Sequence, residues 1–373
     1  MPVLSAAYPS GPRGRIANPL SVGSNPTAAF LAGPVLLFTD DRLLSHVVGP
    51  GHPERPQRLS AISEELSRLP PGLARIKSAE PATRAELERV HSARHIDAIE
   101  AFRGRNRFVI DEDTAGNEHS VGCAYLAAGC ALRAAEAAMR ADGPAAWALV
   151  RPPGHHAERQ RAMGFCLFNN IAAGAAHAIA NLGCRRVLIV DWDVHHGNGT
   201  EEIFRSRRDV LFFDTHQHPF WPGSGAAEDA GEGAGRGFTV NVPLPSGRTD
   251  GDYFRVFDEL LVPMARQFKP DLVLVSAGFD SHRDDPIGGM RVTESGFATM
   301  AGIVQGLARD LAGGRLGLVL EGGYDLGGLS RGIRSCIDVL GGSPAPRIEV
   351  EADGETLRVI ERVKSVHREF WEL

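Results

Sequence analysis

Four ligand-type residues follow the apolar segment 187–190. Asp191, Asp193 and His195 occupy alternating positions, and His196 stands beside them. Alternating side chains of an extended chain point to the same side, so Asp193 and His195 can reach one point. A carboxylate oxygen and an imidazole nitrogen suit zinc or another borderline metal. A single Asp–His pair would favour ordinary hydrogen-bonded groups at a strand end, but three alternating residues of this kind favour a metal site.

Asp280, which ends the segment 272–280, is the candidate third ligand. Taken alone, an aspartate in this position indicates a helix cap or a turn. Together with Asp193 and His195 it would complete a set of two carboxylates and one histidine. Such a set leaves coordination positions open for water and substrate, as a catalytic metal site requires.

Two adjacent histidines, His155 and His156, lie in a loop that two prolines and a glycine stiffen. Histidine titrates near neutral pH, so the pair is a candidate acid–base unit. Each ring needs an orienting partner for its other nitrogen, and Asp191 and Asn198 are the candidates.

Tyr324 follows two glycines at the end of another apolar segment, 316–320. Its hydroxyl could donate a hydrogen bond to a developing oxyanion. A tyrosine that only packs after a glycine turn explains this segment equally well.

The elements that must position these residues are short apolar segments that alternate with helical patterns. Six segments predict strands: Val35–Phe38, Ala146–Val150, Val187–Val190, Val210–Phe213, Leu272–Val275 and Leu316–Leu320. Four patterns predict helices: Pro56–Leu69, Asp250–Phe268, Glu294–Leu311 and Leu329–Leu340. This alternation predicts an α/β fold with a parallel sheet covered on both faces. Because ligands bind beyond the carboxyl ends of such strands, the polar segments should meet there.

Composition narrows the class of protein. The chain has 373 residues, a net charge of -6 and 23% charged residues, which gives no reason to expect a nucleic-acid partner. The sequence contains no apolar segment long enough to predict a membrane span. None of the five cysteines forms a CxxC pair, so we expect reduced thiols in a cytoplasmic protein.

The chain divides into two parts by composition. Residues 1–33 are rich in Gly, Pro, Ser and Asn and lack the apolar core of a secretion signal, so they are interpreted as a disordered extension or as sequence upstream of the true start. Residues 34–373 contain no repeat and no proline-rich linker, and we interpret them as one catalytic domain.

Six motifs occur in a fixed order: HPERPQRL (52–59), RPPGHHA (151–157), GFCLFNN (164–170), DWDVHHGNGT (191–200), SAGFD (276–280) and EGGYD (321–325). Together they resemble the histone deacetylase family, in particular its class II members and the bacterial histone-deacetylase-like amidohydrolases. The resemblance implies a single arginase/deacetylase-type domain, with three α-β-α layers around a mainly parallel sheet. It also implies a zinc-dependent deacetylase that removes acetyl or longer acyl groups from lysine side chains.

The resemblance further assigns roles to the residues of this chain. It implies three zinc ligands: Asp193, His195 and Asp280. His156 would be the general base and acid for attack by metal-activated water, and His155 its electrostatic partner, held by Asp191. Asn198 lies behind His156, where class I members have aspartate, so His156 should be less basic. Tyr324 would polarise the substrate carbonyl.

The resemblance also implies a pocket around the acyl-lysine stem. Phe165 and Trp221 would form its walls, with Trp221 in place of the usual phenylalanine. Five other residues would line or adjoin the pocket: Gly164, Gly323, Ile287, the rim carboxylate Asp113 (or its neighbours Asp111 and Glu112), and Arg58 near the acetate channel. A structural K+ or Na+ would bind near the backbones of Asp191 and His195, where Asp214 replaces a frequent serine.

Three alternatives remain beside this interpretation. An arginase-like hydrolase with two manganese ions needs carboxylates where this chain has Gly197 and Gly278. A non-catalytic acyl-lysine-binding protein would not need Tyr324 or both histidines. A deacylase of acetylpolyamines or other small molecules shares all the motifs, although Ile287 stands where the polyamine-selective member has glutamate. We expect an acyl-lysine peptide or an acetylated small molecule as substrate. The sequence leaves open whether the chain forms a homo-oligomer.

Overall fold

The structure is a computed structural model that describes residues 33–141 and 143–373. The interpretation of residues 1–33 as a disordered extension therefore concerns a segment that lies, except for Gly33, outside the described residues. The boundary of the catalytic domain stays a prediction.

Eight strands of the described residues form one sheet, and every neighbouring pair is parallel. They are β1 (Val35–Phe38), β2 (Ala74–Lys77), β5 (Ala146–Ala148), β6 (Val187–Asp191), β7 (Val210–Gln217), β8 (Thr239–Leu244), β9 (Leu272–Ala277) and β10 (Leu316–Leu320). Their order across the sheet is β2-β1-β5-β10-β9-β6-β7-β8. The short strands β3 (Phe108–Val109) and β4 (Ala115–Gly116) form a separate antiparallel pair.

Helices surround this sheet, which confirms the predicted α/β class. They are α1 (Gln57–Leu66), α2 (Arg84–Leu87), α3 (Ala93–Glu100), α4 (Ser120–Arg140), α5 (Asn170–Asn181), α6 (Asn198–Phe204), α7 (Asp250–Val256), α8 (Val262–Phe268), α9 (Glu294–Ala312), α10 (Leu326–Leu340) and α11 (Gly354–His367). Helices α4 and α5 pack together, and α4 covers β1, β5 and β10, whereas α9 packs on α10 and on β9. No helix in the described part of the chain is long and apolar enough to cross a membrane.

The sequence patterns identified the central strands but missed both edges of the sheet. Strand β2 is largely exposed and has no apolar run, and β8 includes an asparagine and a proline. Helix α4 was also missed, because it is buried on most of its surface and so lacks a clear amphipathic period. The predicted helix 250–268 is divided into α7 and α8 by a π-helical turn at Phe257–Leu261.

The parallel arrangement brings the polar segments to one edge. Strand β6 ends at Asp191, and β5, β9 and β10 lead directly into the segments that carry His155, Asp280 and Glu321. In the sheet β9 lies between β10 and β6, so these segments are neighbours although they are far apart in the chain.

Candidate active site

The three predicted metal ligands meet at one point. Their ligand atoms lie within 4.8 Å of one another, and all three residues are buried. His195 Nδ1 lies 3.0 Å from Asp193 Oδ1 and 3.2 Å from Asp280 Oδ2. Asp280 Oδ2 is buried and accepts no hydrogen bond from the described residues. A buried carboxylate oxygen without a donor, opposite an imidazole nitrogen, fits a cation between them.

The charges at this point also favour a cation. Burial and the neighbouring carboxylate of Asp193 raise the pKa of Asp280 to about 7. Two carboxylates this close can both ionise only if positive charge balances them. A divalent ion would supply that charge, so both the ligand atoms and the charges of the three residues fit a metal site.

Glycines around the ligands leave no room for further ligands. A Cβ at Gly278 would lie 2.6 Å from the Cα of Asp193, and one at Gly322 would overlap Asp280 Oδ2. The backbone N–H of Gly322 donates instead to Asp193 Oδ2 at 2.8 Å. The additional carboxylates of a two-metal site therefore have no place at Gly278.

The two histidines have different partners, as the sequence predicted. His155 Nδ1 lies 3.0 Å from Asp191 Oδ2, and His156 Nδ1 lies 2.8 Å from Asn198 Oδ1. The two rings lie 3.9 Å apart, and the His156 ring lies 5.7 Å from that of His195.

The surroundings of the two histidines move their pKa values in opposite directions. Burial lowers the pKa of His156, and the charges of His155 and His195 lower it further. Burial opposes the charge of His155 too, but the carboxylates of Asp193 and Asp191 outweigh it and raise its pKa well above the usual range. Burial also raises the pKa of Asp191, to about 8, although the neighbouring His155 opposes that rise. The lowered pKa of His156 favours its neutral imidazole.

Tyr324 is held beside this point by its backbone. Its N–H donates to Asp285 Oδ2 at 2.7 Å, and the same carboxylate accepts the N–H of Ile287 on Oδ1 at 2.9 Å. Asp285 thus places Ile287 next to the Tyr324 segment. The Tyr324 ring packs edge-on against Phe165, with ring centroids 5.9 Å apart, and burial raises the pKa of its hydroxyl. A hydroxyl of raised pKa stays protonated and able to donate.

The predicted wall residues contact different parts of the site. Trp221 packs edge-on against His156 at 4.7 Å and is 40% exposed, which places it at the mouth. Phe165 packs against Tyr324 on one side and against His52 at 4.6 Å on another. Phe220, which the sequence analysis missed, stacks on His195 at 5.1 Å.

Two backbone positions in the wall require glycine. Gly164 has φ +57°, and a Cβ there would lie 2.5 Å from His156 Cδ2 and 2.6 Å from Trp221 Cη2. Gly323 has φ +116°, and its carbonyl accepts the Arg58 Nε–H at 2.7 Å. Asp113 accepts the hydroxyl of Thr114, whose Oγ1 in turn accepts the N–H of Phe165, so this carboxylate lies at the rim beside the wall.

The sequence analysis named Arg58 but missed the buried charged residues Glu54, Arg151 and Glu321 near it. Glu54 forms a bidentate ion pair with Arg151 and also contacts Arg58 at 3.2 Å. Glu321 Oε2 accepts the N–H groups of Gly154 and His155. These residues stand inside the motifs quoted above, so the signal was present, but nothing in the spacing showed which partners they have.

At the predicted site for a monovalent cation, Asp214 stands in the position where a serine is frequent. Asp214 Oδ2 accepts the N–H of Gly197 at 2.8 Å, and its Oδ1 lies 2.6 Å from His216 Nδ1. The Asp191 carbonyl accepts the hydroxyl of Thr215 at 3.2 Å. Asp214 thus already has partners in the protein, and the cation stays a prediction.

Known proteins are similar to this chain in sequence and in fold. The protein-family sequence model described as the histone deacetylase domain matches residues 52–340 of this chain. The chain belongs to the histone deacetylase family. It is 40% identical over 345 residues to histone deacetylase 15 of Arabidopsis thaliana, covering 89% of this chain and 62% of the relative. It is also 40% identical over 308 residues to polyamine deacetylase HDAC10 of Homo sapiens, covering 79% of this chain and 45% of the relative.

The fold of this histone deacetylase family member agrees with a solved structure. The crystal structure of the HDA15 HD domain matches it with a TM-score of 0.85 and 40% identity, over 91% of this chain and 95% of that one. The chain spans less than two thirds of the length of the two relatives named above. The shared part therefore concerns the deacetylase domain rather than the whole relatives.

Proposed function

We propose that this chain is a zinc-dependent amidohydrolase that removes acetyl or other acyl groups from lysine side chains. The observation that carries the proposal is the meeting of Asp193, His195 and Asp280 beside a neutral His156 and the buried Tyr324. This arrangement would combine a site for one metal ion, a base and an oxyanion donor, which is what hydrolysis of an unactivated amide requires.

Each residue of the site has a separate role in the proposed reaction. Asp193, His195 and Asp280 would hold the zinc ion, which when bound supplies a Lewis acid and lowers the pKa of water. His156 Nε2 takes a proton from the attacking water and returns it to the leaving lysine amine. The Tyr324 hydroxyl donates to the carbonyl oxygen as negative charge develops there. His155, whose pKa the carboxylates of Asp193 and Asp191 raise, would keep positive charge beside His156.

The same arrangement argues against the non-catalytic and two-metal alternatives. A protein that only binds acyl-lysine does not need His156, held by Asn198, or the donor Tyr324. Gly278 leaves no space for a second-metal carboxylate.

The five cysteines are all free, which supports a reducing compartment such as the cytoplasm.

The metal can be tested directly. We expect active protein to contain about one equivalent of zinc by elemental analysis. Asp280→Ala and His195→Ala should lose both the metal and turnover, because each removes one of three protein ligands. Asp250→Ala, which removes a carboxylate that caps the segment at Thr293, is the control and should retain zinc. A requirement for two equivalents would overturn the mononuclear site.

The substrate class needs a second experiment, because a polyamine deacetylase is among the relatives. A polyamine carries a distal ammonium, and the apolar Ile287 offers it no Coulomb attraction. We expect acetyl-lysine peptides to show a higher kcat/KM than N-acetylated spermidine or putrescine, measured side by side. A tenfold preference for the polyamine would replace the lysine assignment by the polyamine one.

A further inference from the structure

Asn198 stands between a histidine and a carboxylate. Its Oδ1 lies 2.8 Å from His156 Nδ1, and its Nδ2 donates to Glu158 Oε1 at 2.9 Å. Nδ2 also lies 3.4 Å from Met163 Sδ, another acceptor. Both groups near Nδ2 therefore accept hydrogen bonds, and the group near Oδ1 is a ring nitrogen that can carry hydrogen.

The carboxylate determines which way the amide faces. An ionised carboxylate only accepts hydrogen bonds, so it requires the NH2 end of Asn198. With Nδ2 on Glu158, Oδ1 must face His156, and Nδ1 of that ring must carry the hydrogen. The proton-free nitrogen of the neutral ring is then Nε2, the atom that can accept a proton from water.

Glu158 is itself fixed by its backbone. Its N–H donates to the carbonyl of Arg161 at 2.9 Å, and its carbonyl lies 3.0 Å from His91 Nδ1. His91 Nε2 accepts the N–H of Asn169, so His91 must donate from Nδ1 to Glu158. The backbone of Glu158 is thus anchored two residues after His156.

We infer that Glu158 is a positioning residue that sets the tautomer of His156 through Asn198, and that Glu158 and Asn198 act as one pair. The inference rests on the proposed function. It also explains why an amide stands at position 198. An aspartate there would bring two carboxylates to a separation of about 2.9 Å, which like charges oppose.

A double-mutant cycle tests the pair. Glu158→Gln should lower kcat at least tenfold with KM within twofold, because an amide at position 158 no longer requires one orientation of Asn198. Asn198→Asp alone should lower kcat by a similar factor, through repulsion. In the double variant the amide introduced at position 158 can donate to the new carboxylate, which accepts His156 Nδ1–H. The kcat of the double variant should therefore rise at least tenfold above that of Asn198→Asp alone.

The decisive readout is the sign of the effect of Glu158→Gln on kcat, which should be a decrease in the wild-type background and an increase in the Asn198→Asp background. A role that is only structural would give Glu158→Gln the same effect in both backgrounds, and additivity within twofold would overturn the inference. Glu202→Gln is the matched control, because the Glu202 side chain accepts the N–H of Arg159, the residue after Glu158, whereas the Asn198 amide bonds to Glu158. We expect wild-type kcat from it, and thermal denaturation of every variant reports the state of the fold.

A spectroscopic readout separates this inference from the proposed function. If the wild-type protein hydrolyses none of the acyl substrates, the proposed function fails, but the tautomer remains measurable. Nitrogen-15 NMR of histidine-labelled protein, with His156→Ala to assign the signal, should show Nδ1–H in the wild type. Glu158→Ala should shift His156 toward the other tautomer. An unchanged tautomer in that variant would overturn the inference.

Discussion

At the scale of single residues, neighbouring groups rather than residue type decide the chemistry. His155 and His156 are adjacent in sequence and both buried, yet their pKa values move in opposite directions. Asp191 and Asp193 supply carboxylates to His155, whereas His156 has a neutral amide and two neighbouring histidines. Two adjacent histidines thereby come to favour opposite charge states.

Tyr324 offers a residue-scale test of the oxyanion donor. Tyr324→Phe removes one hydroxyl and keeps the ring against Phe165, so kcat should fall by roughly 10²–10³ with zinc retained. Tyr125→Phe is the matched control, because Tyr125 is a buried tyrosine on α4 that contacts Phe168 instead. Wild-type kcat in Tyr324→Phe would remove this hydroxyl from the mechanism.

Ile287 tests how the substrate is selected. Its backbone is tied through Asp285 to Tyr324, and its side chain is half-buried. Ile287→Glu should shift the ratio of kcat/KM toward N-acetylated polyamines, because a carboxylate attracts their distal ammonium. Ile287→Gln separates charge from polarity and should shift the ratio less. Equal ratios in all three proteins would show that position 287 does not contact the substrate.

At the scale of elements, the loop after β5 is held in place by buried charges. Arg151 donates to both oxygens of Glu54 and to the carbonyls of Leu43 and His46. Burial opposes the charge of Glu54, but Arg151 and His46 outweigh it and hold its pKa well below the usual range. The loop that carries both histidines is therefore attached to the segment after β1.

Removing the Arg151 side chain should lower the free energy of unfolding. Arg151→Leu leaves the buried Glu54 carboxylate with a poorer set of partners, and we expect a loss of about 3–5 kcal/mol in the free energy of unfolding. Denaturant titration of the metal-loaded protein measures it. Arg185→Leu, at a side chain that is 83% exposed, should change stability by less than about 0.5 kcal/mol. Equal effects of the two substitutions would contradict the role of the ion pair.

At the scale of the whole molecule, α11 closes the far edge of the sheet. It packs on β8, and its final residue, His367, is fully buried. Neither ring nitrogen of His367 has a hydrogen-bond partner among the described residues. Burial lowers the pKa of His367 to about 4, so the folded protein favours the neutral ring.

This histidine predicts a loss of stability in mild acid. The unfolded chain has the ordinary pKa near 6.5 and binds the proton first, so stability is present above that value and falls as the pH drops toward 4. The loss between pH 7 and pH 5 should be about 2 kcal/mol. His367→Phe should reduce this slope in denaturant titrations at several pH values, whereas His119→Gln, at an exposed side chain, should not. An unaltered slope in His367→Phe would show that other groups cause it.

The sequence by itself determined the class of fold and the edge at which the chemistry lies. Apolar segments ending in Asp191, Asp280 and Tyr324 are local features, and parallel strands bring their carboxyl ends together whatever the details of packing. Local alternation was also sufficient to select Asp193 and His195 from their neighbours. The structure confirms the fold class and brings these residues together, because each of these features depends on a few adjacent residues and on one general property of parallel sheets.

Only the tertiary structure decided which buried polar groups are partners. The contacts of Glu54 with Arg151, of Glu321 with the loop before His155, and of Asp285 with Tyr324 join residues between 39 and 167 positions apart. Edge strands β2 and β8 and the buried helix α4 likewise lack a local period. The physical reason is the same in each case. Strand register and side-chain packing choose among many acceptable partners, and no local pattern carries that choice.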